Sequence, residues 1–151
     1  MAYTKTTWVN GGPPALSAEN LNKMEDGIFS AINEDFIVEQ GTSGIWTYRK
    51  WDSGISECWG HYTWNITSWT AWGGFYYSNS AASQAYPTNL FIDEPTFLAQ
   101  GFSSDGDAFL GIVAQNSNFN TQTSQFYLLR PTSGPNGTGH ISIYSRGRWK
   151  L

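Results

Sequence analysis

Residues 46–151 contain six carboxylates: Asp52, Glu57, Asp93, Glu94, Asp105 and Asp107. Two of them at a suitable separation would be enough to hydrolyse a glycosidic bond, one as general acid and one as base or nucleophile. Their neighbours argue for other uses. Asp52 opens Asp52-Ser53-Gly54, and Asp105 precedes Gly106 between Phe102 and Phe109; both are turn sequences. Glu57 has a base, Arg49, where a hairpin would set it directly opposite. Ser103-Ser104-Asp105-Gly106-Asp107 lacks the ligand spacing and distal glutamate of an EF-hand loop. His61 and His140 begin no zinc motif, and Cys58 is the only cysteine, which excludes an internal disulfide and a cysteine-cluster zinc site. No nucleophile elbow or phosphate loop occurs. The sequence is read as non-enzymatic, with no catalytic residue, metal or cofactor.

Recognition of an uncharged ligand suits the composition better. Charged residues are 13 % of the chain, about half the share in an average soluble domain, while aromatics are 17 %. A sugar site needs an aromatic ring for the apolar face of a pyranose and polar groups for its hydroxyls, best carried on loops. The richest candidates are Trp69, Trp72, Tyr76 and Tyr77, followed by Asn79 and Tyr86, with Ser80, Ser83 and Gln84 between them. The same rings could instead form core or a subunit interface. The amides of Gln115–Gln125 could bond hydroxyls or line an exposed loop. Arg130, Arg146 and Arg148 could hold an acidic group by bidentate bonds or belong to a strand face.

The charge excludes other partners. Residues 1–45 carry six acids and two bases, and residues 46–151 carry six of each. With no basic patch there is no electrostatic case for nucleic acid. No stretch approaches the about 20 apolar residues of a membrane helix, so no membrane insertion is expected, and MAYTKTTWVNGGPP is no signal peptide. Asn65-Ile66-Thr67 and Asn136-Gly137-Thr138 read as chance sequons.

These side chains need a scaffold, and the sequence divides it in two. After Gly11-Gly12-Pro13-Pro14, Ser17 is a helix N-cap, Leu16 and Leu21 have hydrophobic-staple spacing, and Glu19 precedes Lys23 by four. Leu21, Met24, Ile28 and Ala31 or Ile32 recur at helical steps, predicting a helix over about 18–33 with one narrow apolar stripe. So short a helix is marginal alone. Its stripe either docks on the β-domain or joins helices of other subunits in a short parallel bundle.

From about Ile45, strands are expected near 45–51, 55–66, 70–77, 88–92, 96–103, 107–115, 124–130 and 140–149, separated by turn sequences. Asp52-Ser53-Gly54 predicts a hairpin with Gly54 left-handed, Arg49 opposite Glu57 and Thr47 opposite Trp59. Both faces of this pair are aromatic, which suits core on one side and another subunit on the other. The expected fold is mainly β: an N-terminal arm and short helix (1–35), a linker (36–45), and an antiparallel sandwich or jelly-roll-like head (46–151).

Residues 6–28, TTWVNGGPPALSAENLNKMEDGI, resemble the N-terminal segment of many phage tail-fibre, baseplate-appendage and other virion-fibre proteins. The pattern is met by Thr6, Trp8, Asn10, Gly11, Pro14, Ala18, Glu19, Leu21, Asn22, Met24, Glu25, Gly27 and Ile28. WTYRKWDSGISECWG (46–60) is similar to the first hairpin of their C-terminal heads, and ISIYSRGRWK (141–150) to their last strand. Residues 65–139 carry no such resemblance.

The resemblance implies a homotrimer in the virion, assembled in the bacterial host cytoplasm. Residues 1–35 would attach to other phage virion proteins, with Leu21, Met24, Ile28 and Ile32 at the trimer axis. The projecting head would bind a host-surface glycan. Members with a long shaft separate anchor from head. Here only Glu34–Gly44 intervene, which favours a short knob. Two other readings are a head fibre or decoration protein without a receptor of its own and a depolymerase-like glycan hydrolase.

Overall fold

The computed structural model describes residues 17–104, 106, 108–113 and 119–151, with the side chains at 32, 33, 112 and 113 set aside. The arm, Leu16 of the expected staple, the side chain of Ile32, Asp105, Asp107 and part of the 115–125 stretch lie outside the described residues. The chain divides into two units at Asp35/Phe36.

Among its described residues the first unit holds one helix, α1 (Ala18–Asn33). Ser17 caps it, its Oγ accepting from the Asn20 N–H at 3.2 Å. This satisfies one of the amides a helix start leaves unbonded. Lys23 Nζ lies 2.9 Å from Glu19 Oε1. Of the stripe's described side chains, Leu21, Met24 and Ile28 are 46, 44 and 57 % exposed.

Among the described residues the second unit has nine strands in two antiparallel sheets. The first sheet has the order β1 (Ile37–Ser43), β2 (Trp46–Trp51), β3 (Ile55–Ile66), β9 (Gly137–Arg148), β6 (Thr96–Ser103). The second has the order β4 (Trp69–Trp72), β5 (Phe75–Ser78), β8 (Gln125–Arg130), β7 (Phe109–Val113). Gly54 takes φ 90° in the β2–β3 turn. The register sets Arg49 against Glu57 and Thr47 against Trp59.

Three expectations are corrected. The 36–45 linker is largely strand β1, which continues the sheet past β2. Gly44, φ 59°, occupies the first of two central turn positions, the requirement of a II′ hairpin. The single strand over 70–77 is a hairpin broken at Gly73-Gly74 into β4 and β5. Residues 88–92 are not a strand. Leu90 and Phe91 are buried in a turn, with Leu90 N–H on the Pro87 carbonyl and Asn89 at φ 56°.

Alternation along the strands builds the core. Trp46, Cys58, Ile141 and Ile143 point inward from the first sheet and Phe126 and Leu128 from the second. The connection after β5 adds Ala81, Tyr86, Leu90 and Phe91. Trp46 donates its indole N–H to the Ala85 carbonyl at 2.7 Å. Buried Ser56 donates to the Leu90 carbonyl at 2.6 Å. Burial pushes the Cys58 thiol up to about 12, so it is protonated at neutral pH.

The edge strand β1 is held by one polar cluster. Lys50 is buried, and its ammonium lies 2.8 Å from Glu39 Oε2 and 5.3 Å from the centre of the Trp149 ring. Tyr48 donates to Glu39 Oε1 at 2.9 Å. The hydrogen bonds from Lys50 and then Tyr48 lower the Glu39 carboxyl below its ordinary value. A depressed carboxylate contributes stability above its unfolded pKa and loses it as pH falls through the folded one. Glu39→Gln should therefore cost about 1–2 kcal/mol at pH 7, a range kept low because Glu39 is half exposed. It should also flatten the loss of stability that the parent chain shows below about pH 4.5. Urea unfolding at pH 7 and at pH 3.5 measures both.

Candidate functional site

The residues nominated for sugar contact do not form one platform. Breaking 70–77 into a hairpin sends alternate side chains to opposite faces of the second sheet. Register and burial put Trp69 and Tyr76 on the side of buried Ser78, Leu128 and Arg130. Trp72 and Tyr77 face the other way. Trp69 donates its indole N–H to the Pro135 carbonyl at 2.8 Å, and the buried Arg130 guanidinium lies 5.0 Å from its ring centre. Asn79 clamps the β3–β4 connection, accepting from Thr67 N–H at 2.8 Å and donating to the Asn65 carbonyl at 3.0 Å.

Tyr86 is a correction: it is core. Its ring packs 5.2 Å from Trp46 and 4.9 Å from Phe91, and its hydroxyl meets Ser145 Oγ at 3.0 Å. Burial raises this phenol to about 12. The outward face of the second sheet carries Trp72, Tyr77, Phe75, Phe109 and Tyr127. Phe75 and Phe109 meet edge to face at 6.1 Å, as do Tyr77 and Tyr127 at 5.7 Å. Thr70 and Gln125 stand on that face too by register, but its rings pack mainly on one another.

A mixed surface lies on the first sheet instead, on its outward side. The pairing of β2, β3, β9 and β6 places residues in rows across the strands. One row is Thr47, Trp59, Tyr144 and Leu98, each paired with the next. The row on one side is His61, Ser142 and Gln100. The row on the other side is Arg49, Glu57, Arg146 and Thr96. The first two rows line an open groove of about 650 Å³. None of the groove's lining residues is Asp, Glu, Lys or Arg.

The charged row braces the groove. Arg49 and Glu57 stand opposite in register, but Arg49 lies over the Trp59 ring, 5.1 Å from its centre. Glu57 Oε2 accepts from the Tyr144 hydroxyl at 2.6 Å. That hydrogen bond is the main reason the Tyr144 phenol is raised above its ordinary value. Each aromatic ring of the row is thus fixed by a neighbour in the charged row. On the polar side His61 Nδ1 meets Ser142 Oγ at 3.2 Å. Beyond it, His140 stacks between His61 (5.8 Å) and Phe102 (4.7 Å). Leu98, at 70 % exposure, leaves one end of the aromatic row open.

Of the other charged candidates, Arg148, Asp93 and Asp52 have structural partners, while Arg146 is exposed in the row beside Tyr144. Arg148 bonds Asp93, with Nε 3.0 Å from Oδ2, and Lys150 lies 3.2 Å from Asp52. Among the described residues no three His, Cys, Asp or Glu side chains converge. The sequence reading missed the groove because its rows combine residues 47, 59, 98, 100, 142 and 144. Alternation does place Ser142 and Tyr144 on the face of Arg146, but nothing local says that β9 lies between β3 and β6.

Two substitutions separate core from surface. Tyr86→Phe removes a buried hydrogen bond and should cost about 1 kcal/mol. Trp72→Ala removes a ring that is 67 % exposed and should change stability by no more than about 0.5 kcal/mol. Urea midpoints for the two variants check the contrast.

Compared with models of protein families, with curated proteins and with solved structures, the chain finds no match.

Proposed function

We propose that this chain is a short phage virion appendage, a homotrimer whose β-unit binds carbohydrate on the host cell surface. The observation that carries the binding half is the outward groove. Braced aromatic rings there stand beside uncharged hydrogen-bonding side chains, the pairing a sugar ring with apolar faces and equatorial hydroxyls requires. The resemblance of residues 6–28 to virion-fibre attachment segments supports the location, and that of residues 46–60 and 141–150 supports the head.

The trimer is supported by α1. Its apolar side chains at three- and four-residue steps are exposed. A helix of 16 residues is marginal in water without a partner for such a stripe. Copies of the same helix in a parallel bundle would bury Leu21, Met24 and Ile28 at the axis. The N-terminal residues would then dock on other virion proteins.

Light scattering on a sizing column tests the assembly. The full chain should give about 50 kDa, three times the chain mass of 16.8 kDa. The double variant Met24→Asp, Ile28→Asp should fall to the monomer mass. A variant that stays trimeric would move the interface to the β-unit, and a monomeric parent chain would overturn the trimer. Adsorption of labelled protein to bacterial cells, competed by cell-wall polysaccharide, tests the binding half.

A further inference from the structure

We infer that the carbohydrate site is the groove crossing β2, β3, β9 and β6, and that its ligand is an uncharged oligosaccharide lying across the strands. This rests on the glycan-binding reading above and narrows it to one surface and one ligand class.

The direction follows from the pairing. Trp59, Tyr144 and Leu98 stand on three adjacent strands, and adjacent strands are about 4.8 Å apart. That step is roughly the length of one hexopyranose unit, so neighbouring sugars of a linear chain would meet neighbouring side chains. The row of His61, Ser142 and Gln100 runs parallel to the aromatic row. It offers an imidazole, a hydroxyl and an amide along one edge of such a chain. These groups both donate and accept, as sugar hydroxyls do.

The charge pattern selects the ligand class. No Asp, Glu, Lys or Arg lines the groove. The flanking row carries Arg49 over Trp59, Glu57 on the Tyr144 hydroxyl and the exposed Arg146, and none of these three lines it. An uncharged ligand matches such a lining, and the uronate comparison below reads whether the two flanking arginines draw an acidic one instead. The same polarity argues against a second copy of the chain as occupant. A permanent subunit interface is more apolar through its centre, whereas here half of the surface is a hydrogen-bonding row.

The test uses the full chain and hexasaccharides built from glucose, galactose or N-acetylhexosamine, with a uronate-containing hexasaccharide of equal length for comparison. Binding is read by titration calorimetry and tryptophan fluorescence. At least one uncharged hexasaccharide should bind, with an affinity unchanged between 50 and 500 mM salt, as expected for uncharged recognition. The double variant Gln100→Ala, Ser142→Ala alters only exposed side chains and should weaken binding about tenfold, as expected for two lost hydrogen bonds. Trp72→Ala should bind like the parent.

Preference for the uronate ligand would overturn the inference. So would binding that survives the double variant but is lost in Trp72→Ala. A change of molecular mass in the double variant would place a second copy in the groove and overturn it too. If the parent adsorbs to cells and the double variant adsorbs equally well, this site falls while the wider reading stands. If the parent binds neither cells nor any hexasaccharide, both fall.

Discussion

The ladder between β3 and β9 is the constraint on which the remainder depends. Twelve residue pairs, from Ile55 with Arg148 to Ile66 with Gly137, join segments about 80 positions apart. β9 then carries β6 on its other edge, so removing the ladder would leave the first sheet in two pieces. Because side chains alternate with period 2, a slip of β9 by one residue would exchange its two faces. With β3 in place, Tyr144 would turn to the core and Ser145 would face outward. Backbone crowding opposes the slip. A Cβ on Gly60 would stand 2.6 Å from the Ile45 carbonyl oxygen, and one on Gly139 2.5 Å from the Trp64 indole. Only glycine fits either place in this register.

The inward face follows from the same ladder. Large rings at Trp46, Tyr86, Phe91 and Phe126 fill most of the space, and small hydroxyl residues occupy positions where a larger side chain would hold the layers apart. Each such hydroxyl has to find a partner, since an unbonded one would cost more than the bond contributes. Ser145 meets Tyr86, Ser56 meets the Leu90 carbonyl, and Ser78 accepts from Leu128 N–H at 3.0 Å. The first two tie the irregular connection after β5 to the first sheet, and the Ala81 N–H on the Phe126 carbonyl at 2.8 Å ties it to the second. The connection therefore acts as packing material between the layers, although its sequence, rich in serine, alanine and asparagine, looks like a solvated loop.

What was legible in the sequence was local. The Ser17 cap, the Glu19–Lys23 pair and the Asp52-Ser53-Gly54 hairpin depend on residues within a few positions of one another. Their geometry follows from backbone preferences. Strand β1 was not legible, because it is exposed along most of its length and has no alternating apolar pattern. What holds it is its ladder to β2 and a buried lysine on that strand. Tyr86 was misread as surface because its neighbours are polar, whereas its burial is decided by Trp46 and Phe91, which are distant from it or separated by proline and turn residues. The groove was illegible for the strongest version of the same reason. Four strands contribute to it, and the order of strands in a sheet is a non-local property.

The unusual composition then has a physical account. Few charges and many rings would suit a protein with one very large core, yet several rings lie on outward faces. The two outward faces differ in chemistry. On the second sheet the rings mainly touch one another, edge to face. On the first sheet, each ring of the central row is fixed by a charged neighbour and stands beside polar side chains. Fixing matters for weak ligands, because a ring already held in place loses little entropy when a ligand stacks on it. Arg49 and Glu57 look like a cross-strand ion pair in the sequence. In the fold each holds a ring instead, so the charges order an uncharged surface without entering it. That division of labour leaves a face of held rings beside hydrogen-bonding side chains, with the charges standing at its margin.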